Sequence, residues 1–71
     1  MSNLTIGQVA KITGASIDTI RFYERKKLIA PAFRKESGYR QFHPQIIDKI
    51  TFIRRAKGLG FTLKEIEELL L

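Results

Sequence analysis

Residues 16–25 read S-I-D-T-I-R-F-Y-E-R, and the fold turns on them. Ser16 can accept a hydrogen bond from a free backbone N–H at a helix start. Asp18 follows in the first turn, where a carboxylate suits the positive end of the helix dipole. Ile17 and Ile20 stand three apart, and Phe22 and Tyr23 continue the apolar content, so one face can bury. Thr19, Arg21, Tyr23 and Arg25 offer hydroxyls and guanidinium groups from other faces. Just ahead sit Gly14 and Ala15, a tight break after another short helical pattern. Helix, short glycine-containing turn, polar and basic helix: this is the outline of a helix-turn-helix, whose second helix lies in a DNA major groove. Taken alone, the same residues describe an ordinary amphipathic surface helix, and the rest of the chain decides between the two.

Upstream, Leu4-Thr5-x-x-Gln8-Val9 is a helix start. Thr5 can cap, Gln8 can reach back to the cap's N–H, and Leu4 can staple onto Val9. Ile6, Val9, Ala10 and Ile12 supply an apolar face at helical period, and Gly14 supplies the stop. This first helix, about residues 5–12, is expected to pack across residues 16–25 as support.

Downstream, Leu28 and Ile29 read as core plugs, and Pro31 ends helical options. Residues 33–42, F-R-K-E-S-G-Y-R-Q-F, place two short aromatic-bearing runs around a polar stretch ending in Gly38. That is a hairpin signature with glycine in a left-handed position. Arg34, Lys35 and Arg40 make it basic, and a basic hairpin just after a helix-turn-helix reads as a wing laid against DNA. Pro44 suits a first helical position, and Ile46, Ile47, Ile50, Ile53 and Ala56 follow at helical spacing, giving a third helix over about 44–57. Arg54, Arg55 and Lys57 crowd its last turn, where cations favour the helix end and can equally grip phosphate. His43, the only histidine, is expected to cap or pack rather than bind metal. Gly58-Leu59-Gly60 is a turn, and Phe61-Thr62-x-x-Glu65-Ile66 repeats the capping device of the first helix. The fourth helix runs from about 62 to the end and finishes on Leu69-Leu70-Leu71, an apolar end that reads as covered by a partner or as continuing into further chain.

Composition narrows the function. The chain has 71 residues, 44% of them hydrophobic, no cysteine and a net charge of +6. That is one small globular domain with a modest core. Neither disulfides nor cysteine-ligated zinc can stabilise it, and the lack of cysteine fits a cytoplasmic location. No apolar run reaches the length of a membrane span, and no signal-peptide pattern opens the chain, so no membrane partner is expected. Residues 61–71 hold one lysine against three glutamates, −2, which leaves residues 1–60 at +8 of the total +6. The basic part is the part with the helix-turn-helix outline, and a field of that sign points to a polyanion. An enzyme is not expected. There is no paired-carboxylate cleft, no triad to be built around the one histidine, and no phosphate-cradling glycine loop.

Four stretches, taken together, resemble one family: I-G-Q-V-A-K-I-T-G (6–14), T-I-R-F-Y-E-R (19–25), S-G-Y-R with its following aromatic (37–42), and R-A-K-G-L-G-F-T-L-K-E-I-E-E-L-L (55–70). The sequence looks like the N-terminal DNA-binding domain of the MerR family of bacterial transcription regulators. The resemblance implies a mainly α winged helix-turn-helix of about four helices with a small β-hairpin wing. It implies a homodimer, paired through sequence beyond Leu71, on a palindromic promoter element in double-stranded DNA, which it distorts for RNA polymerase. Ser16, Thr19, Arg21 and Tyr23 would serve the recognition helix. Arg34, Lys35, Gly38, Tyr39 and Arg40 would form the wing, with Tyr39 and Arg40 on phosphate. Arg54, Arg55 and Lys57 with the 58–60 loop would form a second wing. Members continue into a dimerising coiled coil and an effector region, so the effector is not legible here, and no cofactor or metal is expected from these residues. Two other readings stay open: an excisionase-like architectural DNA-bending factor, and a basic protein-interaction module.

Overall fold

The computed structural model describes residues 3–34 and 40–71. Lys35, Gly38 and Tyr39 of the expected wing lie outside the described residues. Along the described chain come α1 (Ile6–Thr13), α2 (Ile17–Arg25), β1 (Phe33–Arg34), β2 (Arg40–Gln41), α3 (Ile46–Gly58) and α4 (Leu63–Leu70). This is the expected set of four helices and a hairpin.

Local chemistry fixes the helix ends. At α1 the Thr5 hydroxyl accepts from the Gln8 N–H at 3.2 Å, and the Gln8 side-chain oxygen accepts from the Thr5 N–H at 2.9 Å. The two bonds satisfy two of the donors that every helix start leaves free. α4 repeats the device, with Thr62 and Glu65 exchanging bonds of 2.9 and 3.1 Å. There the Thr62 backbone N–H, and then its hydroxyl, hold the Glu65 carboxyl below its ordinary value of 4.5. A depressed folded-state pKa adds stability that is fully present above the unfolded value and is lost as pH falls through the lower, folded one. An NMR titration of the Glu65 carboxyl should therefore show a midpoint below 4.5, together with loosening of α4's first turn on acidification. A midpoint at or above that value would mean the box is open in solution.

α1 stops at Gly14, whose left-handed φ of 77° lets its N–H bond the Ala10 carbonyl. α2 stops differently. Lys27 takes φ 60°; its N–H bonds the Glu24 carbonyl and the Leu28 N–H bonds the Tyr23 carbonyl, each at 3.0 Å. That pair of bonds is a Schellman turn, a position glycine usually fills, and a lysine there carries strain on the order of 1 kcal/mol. α3 begins later than its sequence signal. Pro44 sits in a tight turn rather than in the helix, because the Ile46 and Ile47 N–H groups bond back three residues to His43 and Pro44, both at 3.1 Å.

Val9, Ile20, Ile50, Ile53 and Ile66 are fully buried and tie all four helices together. Leu28, Ile29 and Phe42 fill the space around them, as core plugs should. α1 packs against both α2 and α3, and α4 against α3. Two expected core residues are corrected. Ile12 is 59% exposed, because α1's buried stripe is centred on Val9 with Ile6 and Ala10 on one flank and Ile12 on the other. Ile17 stands exposed at α2's first position.

The hairpin pairs Phe33 with Gln41 and Arg34 with Arg40. Leu4 bridges Phe42 through two backbone bonds of 2.8 and 2.7 Å, so the start of the chain lies along the hairpin. His43 stacks on Phe33, ring centroids 4.6 Å apart. No helix is long and apolar enough to cross a membrane among the described residues.

Candidate nucleic-acid interface

α2 is set in place from both sides. Ser16 caps it: its hydroxyl oxygen accepts from the Thr19 N–H at 3.1 Å, and its own hydroxyl hydrogen goes to the Thr19 hydroxyl at 2.8 Å. These two expected interface residues are therefore joined to each other, and the pair faces solvent at the helix start. Ile20 and Tyr23 bury the inner face. What remains outside is Asp18, Arg21 and Arg25, a strip at helical spacing with the two arginines one turn apart.

Tyr23 is 6% exposed and belongs to the core cluster, so its ring packs beneath α2. Phe22 is half-buried against the core. The Arg25 guanidinium lies 5.9 Å and the Lys26 ammonium 5.8 Å from its ring centroid, so the ring gathers two cations at the end of α2.

The wing strands stand beside this end of the helix. Their register puts Arg34 and Arg40 opposite one another, both exposed. Like charges in that relation are unfavourable unless an anion joins them. One is present. Glu24, from α2, takes the Arg40 Nη2 at 3.3 Å and the Ala32 N–H at 2.9 Å on the same carboxylate oxygen. No sequence signal marked Glu24, because its partners lie 8 and 16 residues away.

Of the cations at the end of α3, Arg54 is engaged: its Nη1 donates to the Thr13 carbonyl at the end of α1. A guanidinium there also suits the negative end of α1's dipole. It fixes the turn between α1 and α2 from outside, within 3.0 Å of where a side chain at Gly14 would begin. Arg55 and Lys57 are exposed at the foot of α3. Sequence spacing alone could not separate these three roles, since it showed only cations in one turn. Among the described residues no group of acidic, histidine or cysteine side chains is placed to hold a metal ion.

The chain is similar to known proteins. The chain is 46% identical over 67 residues to the transcriptional regulator CueR of Yersinia pestis, covering 94% of this chain and 48% of that protein. It is 48% identical over 65 residues to the mercuric resistance operon regulatory protein of Bacillus cereus, covering 92% and 49%. The chain thus spans about half the length of the curated relatives it matches. Among solved structures it is similar to HiNmlR, a MerR family regulator lacking the sensor domain and bound to promoter DNA. The TM-score is 0.86 at 28% identity, over 97% of this chain and 52% of that one. It is also similar to PbrR691 from Ralstonia metallidurans CH34 in complex with lead(II), with a TM-score of 0.84 at 33% identity over 94% and 52%. The family model for MerR HTH regulatory proteins matches residues 4–71, and with the winged helix-turn-helix geometry described above this places the chain in the MerR family.

Proposed function

We propose that this chain is the promoter-reading domain of a MerR-type transcription regulator. The observation that carries the reading is a set of exposed cations on α2 and on the hairpin that Glu24 ties to it. Arg21 and Arg25 are exposed on a capped helix, and Arg34 and Arg40 stand paired on the strands. α2 enters the major groove with Arg21 at the base edges, while Arg34 and Arg40 take phosphate. Arg55 and Lys57 form a second, weaker phosphate contact. The Ser16–Thr19 pair positions the helix start on the sugar–phosphate backbone. The wing contacts expected of Lys35, Gly38 and Tyr39 lie outside the described residues.

In the whole protein, two such domains read the halves of a palindrome, and sequence beyond Leu71 pairs them. The chain spans about half the length of the curated relatives it matches. The dimer works in the cytoplasm, where it distorts the promoter for RNA polymerase.

A salt titration tests the reading. Each phosphate neutralised adds about −0.9 to the slope of log affinity against log salt. Anisotropy of a labelled duplex should show a steep negative slope for the chain alone. Extending the chain with its downstream sequence should add strong preference for a full over a half palindrome, since linkage of two contacts raises affinity by about 10²–10⁴. A flat slope on duplex DNA would return the chain to the class of protein-interaction modules.

A further inference from the structure

We propose that Glu24 is a positioning residue for DNA recognition, a latch that sets the wing's place relative to the recognition helix and aims Arg40 at phosphate. The inference rests on the DNA-binding reading above and deepens it. Its ground is a convergence at one atom. The Glu24 Oε2 accepts from the Ala32 N–H, just ahead of β1, and from Arg40 Nη2, the first residue of β2. One carboxylate oxygen on α2 therefore touches the hairpin twice, just ahead of β1 and at the loop-side residue of β2. Beside the Leu4–Phe42 bridge, this is a contact that ties the hairpin to α2 itself.

The surroundings favour a positioning role over a chance surface pair. The Glu24 side chain is 9% exposed, against 52% for Arg40. A carboxylate that far out of water needs its donors, whereas Arg40 keeps half its surface free for a second anion. The arrangement also costs electrostatically, since it places a negative charge beside the surface proposed to meet a polyanion. Repulsion alone predicts that removing the charge strengthens binding. Positioning predicts the opposite sign, and that difference makes the two separable.

Glu24→Gln is the informative substitution. Its amide oxygen still accepts from the Ala32 N–H, so the fold is kept, while the charge that orients Arg40 is gone. The cycle of wild type, Glu24→Gln, Arg40→Ala and the double variant is titrated by anisotropy against a fluorescein-labelled mixed-sequence duplex, with thermal midpoints recorded for each protein. Glu24→Gln should weaken binding several-fold despite raising the net charge, and should flatten the salt slope by about 0.9, one phosphate contact. In the Arg40→Ala background the same substitution should have no weakening effect. Amide spectra of the free protein should show Glu24→Gln moving Arg34, Arg40 and Gln41 while α1 and α4 stay fixed. Tighter binding by Glu24→Gln, an equal loss with and without Arg40, or unmoved strand amides would each overturn the latch while leaving the DNA-binding reading intact. A flat slope in the unsubstituted chain would overturn both.

Discussion

Ile50→Ala should remove most of the folding free energy of this domain. Ile50 is fully buried on α3, the helix against which both α1 and α4 pack. Truncating a buried isoleucine costs about 2–5 kcal/mol, the lost transfer energy plus the cavity left behind. A domain of fewer than about 70–80 residues rarely holds more than about 3–5 kcal/mol from one core. With 71 residues and no cysteine, no cross-link takes up the difference. Urea unfolding followed by circular dichroism should show Ile50→Ala largely unfolded before denaturant is added. Ile12→Ala, at an exposed site on α1, should move the midpoint little. A loss at Ile50 below about 1 kcal/mol would mean that the helices close over the gap, and that the core is less tightly packed than the burial implies.

Arg21→Ala should cost the second-largest amount, and should cost it selectively. Arg21 projects from the middle of α2, where a guanidinium can meet two acceptors of a guanine edge at once. A bidentate contact of that kind discriminates by about 1–3 kcal/mol at one base pair. Titration against a cognate duplex and its single-base variants should show preference relaxed at one position per half-site, with little change on random sequence. Equal losses on cognate and random duplexes would make Arg21 a phosphate contact and shift base reading elsewhere on the helix.

The fold was legible in sequence wherever its signals were local. Both capping boxes, the Gly14 stop and the alternation of the α3 isoleucines depend on residues three or four apart, and all appeared where their spacing put them. The misjudged positions share a cause. Ile12 and Ile17 are apolar at roughly the right period, but which flank of a short helix is covered depends on where its neighbours sit. Tyr23 carries both a ring and a hydroxyl, and only packing in the core cluster shows that the ring is buried. Residue type alone singles out Arg21, Arg34 and Arg40 as cations, and all three are exposed. It could not reveal that Glu24 reaches across to the hairpin, or that Arg54 closes on Thr13 from 41 residues away, because neither contact leaves a pattern along the chain.

The register of the two short strands has a consequence for the free protein as well. With Arg34 facing Arg40 across the hairpin and, among the described residues, one carboxylate bonded to Arg40, this pair of cations should attract small anions from the buffer. Association with DNA is then an exchange on both sides, cations leaving the duplex and anions leaving the wing. The kind of anion matters along with its concentration. Weakly adsorbed carboxylates such as acetate or glutamate leave this pair freer than chloride or phosphate does, so two buffers of equal ionic strength present the domain with competitors of different strength.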